Sequence, residues 1–317
     1  MRNAYFIAAG AGIVSALAFV SAMMGSPVTS FFLFMIAGLP LYVAGVGWTW
    51  AAALLATAIG SLLLVGVGAR EAAMVYAGLL GMPAILLTQV ADLRVSVTHP
   101  ASNTTTDRWA SPGFLVLLAA LLAAIVSVAL VTVLHDSLPN LSEEIGKLVK
   151  STPQFAGEQQ LSEEQLKQII DIVVTMVPAA AAMVPMIAAV LNLWLAGRIV
   201  LAAGQLRRPW PDIAAMRFPR GAPLILAAAA MGSSTLTGVA GTAAIAIFGA
   251  FFIGYLMLGL AVLHYITRGK SWRPFALSAV YIGLFLINIW LALPIILLGL
   301  VDTIFPLRRP PAGSGTT

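Results

Sequence analysis

The stretch Ala4–Met24, AYFIAAGAGIVSALAFVSAMM, decides how the rest of the chain is read. It carries no charge, and a helix of about 20 residues rises about 30 Å, the thickness of a bilayer's hydrocarbon core. Similar runs recur along all 317 residues, with only two long polar interruptions. Hydrophobic residues make up 60% of the chain and charged residues 9%, and the mean hydropathy is +0.98. A soluble domain carries roughly 25% charged residues. A spanning barrel would show alternating segments of about 10 residues, and that pattern is absent. The expected fold class is therefore all-α: a polytopic transmembrane helical bundle, one membrane domain over residues 1–317.

The net charge is +5 and the isoelectric point about 9.8. Most basic residues sit in short loops between apolar runs, as the positive-inside bias requires, so no nucleic-acid partner is expected. The absence of cysteine excludes disulfides, thiol nucleophiles and cysteine-ligated metals. Arg2 followed by an apolar run and Val20-Ser21-Ala22 mimics a signal peptide, but the run exceeds the 7–15 residues of such a core. It reads as an uncleaved first span. The preference for Arg over Lys, with abundant Ala, points to a GC-rich bacterial source.

Further spans follow at Val28–Val46, Thr49–Val67 and Ala72–Val90, with Pro40 and Pro83 inside the first and last of these. The polar stretch Ala91–Pro112 has no apolar period and reads as a loop. Gly113–Leu134 is the fifth span. The second polar stretch, residues 135–170, is read as an extracytoplasmic acidic helical insertion. Its Leu138, Leu141, Ile145 and Leu148 share a helical face, and Ser162-Glu163-Glu164-Gln165 fits a capping box. Two short amphipathic helices are expected there, broken at Ser151-Thr152-Pro153. The sixth span, from Ile172 to about Gly204, is too long for the hydrocarbon and must tilt, kink or project; Pro178 and Pro185 supply kink positions. After a basic loop carrying Arg207, Arg208, Arg217 and Arg220, the run Ala222–Thr267 holds two spans divided at Gly238–Gly241. Phe275–Phe305 is either one kinked span or two short helices turning near Asn288. Residues 306–317 read as a disordered tail.

Nine or ten membrane helices result. With the N-terminus cytoplasmic, ten basic residues fall inside and four outside, which places the chain in a bacterial inner membrane. Two short helices after Phe275 would also return Arg308 and Arg309 to the inner side.

Ionisable or polar groups within spans are the usual functional clue. Asn192 and Arg198 lie near the end of the sixth span, about 240° apart around the helix. Each has a plain structural reading: an interhelical amide bond for Asn192, a snorkelling anchor for Arg198. Ser233, Ser234, Thr235 and Thr237 form the most polar patch inside a span. Ser234, Thr237 and Gly241 fall on one helical face; the patch serves close helix packing or lines a cavity at an interrupted helix. Asn288 is a turn or a binding amide. Asn192, Arg198, the hydroxyl patch and Asn288 form the candidate substrate-binding set, with no catalytic residue and no metal ligand. Asp302 is expected to pair near Arg308, and His264 to lie at the interface. Phosphate-loop, zinc-helix and nucleophile-elbow motifs are missing, so no cofactor and no enzymatic activity are expected.

From Asn192 onward the chain resembles the YybS-like family of predicted bacterial membrane proteins. The matching features are Asn192-Leu193-Trp194 with Arg198, the basic loop to Phe218-Pro219, and Gly299-Leu300-Val301-Asp302 before Arg308-Arg309. The resemblance imports no catalytic residues. It implies a helical arrangement related to the substrate-binding membrane subunits of energy-coupling-factor transporters. The expected function is a transport-type or solute-binding bundle without its own ATPase, with a small solute as ligand. The alternative is a structural or assembly protein that docks a membrane-protein partner through its loops.

Overall fold

A computed structural model describes residues 2–99, 104–133, 138–151, 162–287 and 289–308. The expected turn at Asn288, the break at Thr152-Pro153 and residues 309–317 of the expected tail lie outside the described residues. The chain is an all-α membrane bundle with one small hairpin. Among the described residues, six helical segments are long and apolar enough to cross a membrane: Ala4–Met24, Pro27–Gly47, Arg70–Ala91, Pro112–Val133, Glu163–Ala202 and Gly238–Ile266. Four shorter apolar helices accompany them.

α1 (Arg2–Met24) is followed by α2 (Pro27–Ala37) and α3 (Leu39–Gly47), which together make the second crossing. The break falls at Gly38, beside Pro40, whose ring and missing N–H interrupt a helix. A helix end leaves carbonyls without intrahelical partners. Two of α2's carbonyls are met from other helices: Ser15 Oγ donates to Ala37 O at 2.7 Å, and Asn192 Nδ2 to Met35 O at 3.0 Å. α4 (Trp50–Gly66) packs against α1. The next crossing runs through α5 (Arg70–Tyr76), a π turn (Ala77–Gly81) and α6 (Met82–Ala91). The π turn directly precedes Pro83 and takes up the distortion that proline imposes.

The stretch expected as a loop is instead an antiparallel hairpin, β1 (Arg94–His99) with β2 (Thr104–Trp109). Val95, Val97 and the threonines carry strand propensity, which a search for helical period alone misses. Arg94–Asp107 and Ser96–Asp107 contacts join the two strands.

α7 (Pro112–Val133) leads to α8 (Leu138–Ser151), the expected amphipathic helix. The second amphipathic helix is not separate. It continues into the sixth crossing as α9 (Glu163–Ala202), a single 40-residue helix. The capping box is present: Ser162 Oγ accepts from Gln165 N at 3.1 Å, and Gln165 Oε1 accepts from Ser162 N at 2.9 Å. Nothing between Gln165 and Ile172 breaks a helix, so the capped start and the span fuse. Both internal prolines are buried, and Ser127 Oγ on α7 donates to Pro178 O.

α10 (Ala222–Thr235) and α11 (Gly238–Ile266) are separated by Leu236-Thr237, with Gly238 at φ 60°. α12 (Arg273–Ile287) and α13 (Ile289–Ile304) are two short helices, the second of the two arrangements the sequence left open. α13 crosses α11 at Gly259 and Gly299. A Cβ on Gly299 would stand 2.7 Å from Tyr255 O, and one on Gly259 would meet Ile295 O. Small residues at such crossings let backbones meet, the usual basis of helix association in lipid.

Candidate functional site

The basic connections and the C-terminal segment converge at one end of the bundle. Arg208 Nη1 and Nη2 donate to Ala91 O and Ala110 O, each at 3.0 Å, tying the 203–221 connection to both feet of the hairpin. Asp212 of that connection pairs with Arg268, just beyond α11. Arg308 donates to Ala214 O at 2.8 Å, and its own carbonyl accepts from Arg217. Arg308 also pairs with Asp302 at 2.5 Å. The expected pairing is there, but both side chains are buried. Arg308, inside the expected disordered tail, is therefore held against the bundle.

Beneath this cap lies a cavity of about 790 Å³. Its walls come from the ends of α3, α6, α7, α9 and α11, from the 206–216 connection, and from Tyr281 of α12. Most of the lining is aliphatic, with Trp194 and Trp210. Gly197 makes room for Trp210: a Cβ there would be 3.1 Å from the indole ring. Arg198 lies over that ring, 5.2 Å from its centroid, a cation–π contact. Polar side chains in the wall are few. Arg208 is one, and His264 is another, its Nε2 2.9 Å from Tyr281 Oη.

The charge pattern at this end is uneven. Asp92 pairs with Arg207, Asp107 with Arg94, Asp212 with Arg268 and Asp302 with Arg308. Arg208, the arginine in the cavity wall, has no carboxylate in contact among the described residues; its hydrogen-bond partners are two neutral carbonyls, its Nε has none, and its guanidinium lies 6.0 Å from the centroid of the Trp109 ring. Burial pushes the Arg208 guanidinium below its ordinary value, and the nearby Asp92 charge opposes that shift. The Arg268 hydrogen bond holds the Asp212 carboxyl below its own.

The structure does not gather the sequence-derived set into one site. Asn192 is 1% exposed, is committed through Nδ2 to Met35, and does not line the cavity. Its Oδ1 has no partner among the described residues. Arg198 stands outside the wall, against Trp210. The hydroxyl patch lies at the opposite end of α11. Ser233, Ser234 and Thr235 donate to Ala230 O and Met231 O of their own helix. The face expected to join Ser234, Thr237 and Gly241 does not exist, because the helix ends at Thr235 and Thr237 caps the next one. Asn288 lies outside the described residues.

Sequence reasoning missed Arg208 and the Trp194–Trp210 wall. The signal was the mixture of Arg, Trp and Pro over 206–220, which reads on its own only as a basic loop.

No curated protein and no solved structure matches the chain at a significant level. The family described as "Predicted membrane protein (DUF2232)" matches residues 13–303, consistent with the YybS-like resemblance. With all but the ends of the chain matched, this protein belongs to that family of predicted membrane proteins.

Proposed function

We propose that the protein is a transport-type, solute-binding membrane bundle without its own ATPase, and that its binding site is the apolar cavity rather than Asn192 or the hydroxyl patch. One observation carries this reading: a cavity of about 790 Å³ with a mostly aliphatic lining and a few polar groups. Ligand sites are of this kind, roughly 300–1,000 Å³ and mainly apolar with sparse polar contacts. No catalysis is assigned to it. The energy-coupling-factor binding subunits serve as the analogy for a bundle that binds while a partner supplies the energy.

In this reading the six long and four short apolar helices make ten alternating crossings of a bacterial cytoplasmic membrane. Both termini and the basic loops face the cytoplasm, and α8 with the start of α9 faces outward.

The test is a ligand-stability screen on detergent-purified protein, read by tryptophan fluorescence. An apolar or amphiphilic compound should raise the melting temperature. Val190→Trp, which fills the cavity, should abolish that shift, whereas Asn192→Ala should lower the starting temperature and keep it. A shift lost with Asn192→Ala and kept with Val190→Trp would move the site away from the cavity. A second reading, partner docking, draws on α8 packed against the projecting start of α9. It requires that deleting residues 138–168 release a co-purifying membrane protein.

A further inference from the structure

We infer that the cavity takes an amphiphile with one apolar chain and one anionic head group, the head lying beside Arg208 and the chain among the aliphatic walls. This rests on the cavity being the binding site, and it adds what the ligand must be.

Three observations converge. The walls offer aliphatic and indole surface over nearly their whole extent, so the body of the ligand must be apolar. The charge in that wall is uncompensated by contact. Among the described residues, each aspartate at this end is taken by Arg94, Arg207, Arg268 or Arg308, while Arg208 has two carbonyl hydrogen bonds and the Trp109 ring beside it, and no carboxylate. Guanidinium groups bind carboxylate and phosphate through several N–H donors. Two carbonyl bonds use two of the five donors.

The third observation concerns access. On one side the wall includes Tyr281 of α12, a helix none of whose described residues is buried and which packs mainly on α13. Its bond to the bundle at the cavity is His264 to Tyr281. Phe285 and Trp290, 86% and 76% exposed, extend the same surface outward. A thinly attached apolar helix is an entrance from lipid rather than from water. A cation at the rim with an apolar chamber behind it matches a molecule lying in the membrane interface, head outward and chain inward.

The test compares three probes on the full-length protein in a non-ionic detergent, by titration of tryptophan fluorescence: oleyl phosphate, oleyl alcohol and inorganic phosphate. Oleyl phosphate should bind about tenfold more tightly than oleyl alcohol, the scale of a charge-assisted hydrogen bond. Inorganic phosphate alone should give no change. Arg208→Gln should bring the two oleyl compounds within about twofold by weakening only the phosphate. Arg208→Lys and Arg220→Gln should preserve the preference.

Equal affinities in the unaltered protein, or a preference that survives Arg208→Gln, would overturn the inference while leaving the cavity as a site for neutral chains. A phosphate preference persisting in Val190→Trp would overturn it too, by placing the anion on the basic surface; this arm stands even if Arg208→Gln does not fold. Failure of both oleyl compounds to bind would remove the cavity reading itself.

Discussion

Asp302 and Arg308 are six residues apart, and their side chains are 2% and 1% exposed. Among the described residues, Arg308 keeps only the neutral Ala214 carbonyl and the Tyr265 ring if Asp302 is lost, so removing the carboxylate strands a buried charge. Asp302→Ala should therefore destabilise the protein by about 3–5 kcal/mol, measured by unfolding in detergent. The double variant Asp302→Leu, Arg308→Met should recover much of that loss. Asp212–Arg268 is the contrasting case, an exposed pair on the same cap. Arg268 keeps the Asp212 carboxyl below its ordinary 3.8. The pair's contribution is fully present above that value and is lost as the pH falls through the lowered one. Asp212→Asn should lower stability at neutral pH by at most about 1 kcal/mol, since solvent screens such a pair, and should remove the same small amount from the acid limb of a stability–pH curve.

At the scale of elements, glycine contacts set which helices touch. Gly259→Leu would drive a side chain into Ile295 O of α13. Loss of that crossing should lower the melting temperature by several degrees and should speed proteolysis within α13. Exposed apolar positions such as Leu62 and Leu224 carry no such constraint. The existence of these elements is legible in the sequence wherever a long apolar run or a cap announces it, as Ala4–Met24 and the Ser162–Gln165 box do. Boundaries are legible where Pro or Gly marks them, as at Pro27 and Gly238. The hairpin at 94–109 is not, because six-residue strands carry a weak signal beside spans. The site is not legible either. Its walls come from segments of α3, α6, α7, α9 and α11 far apart in the chain, and no local pattern shows that they meet. Polarity alone points to Asn192 and Ser233–Thr237, whose bonds serve their own helices and packing.

At the scale of the whole molecule, the bundle has one basic end tied together by Arg208, Arg268 and Arg308 and another end carrying α8 and the acidic start of α9. The chain has no cysteine, so single cysteines report location cleanly. Cysteines replacing Lys270 and Glu164 should react with a membrane-impermeant maleimide from opposite faces of oriented vesicles. Reaction of both from one face would refute the ten-crossing arrangement.

α9 has a further consequence. A 40-residue helix is about 60 Å long, twice the hydrocarbon thickness, so its first turns stand clear of the lipid like a mast, while its last third forms part of the chamber. Mast and chamber share one rod, so a grip on the outer tip is felt below without any relay of moving parts. A disulfide engineered between positions 146 and 170, where a Cβ on Gly146 would be 3.2 Å from the Ile170 side chain, should slow amide exchange around Leu191–Gly197, about 30–40 Å down the same shaft by helical rise.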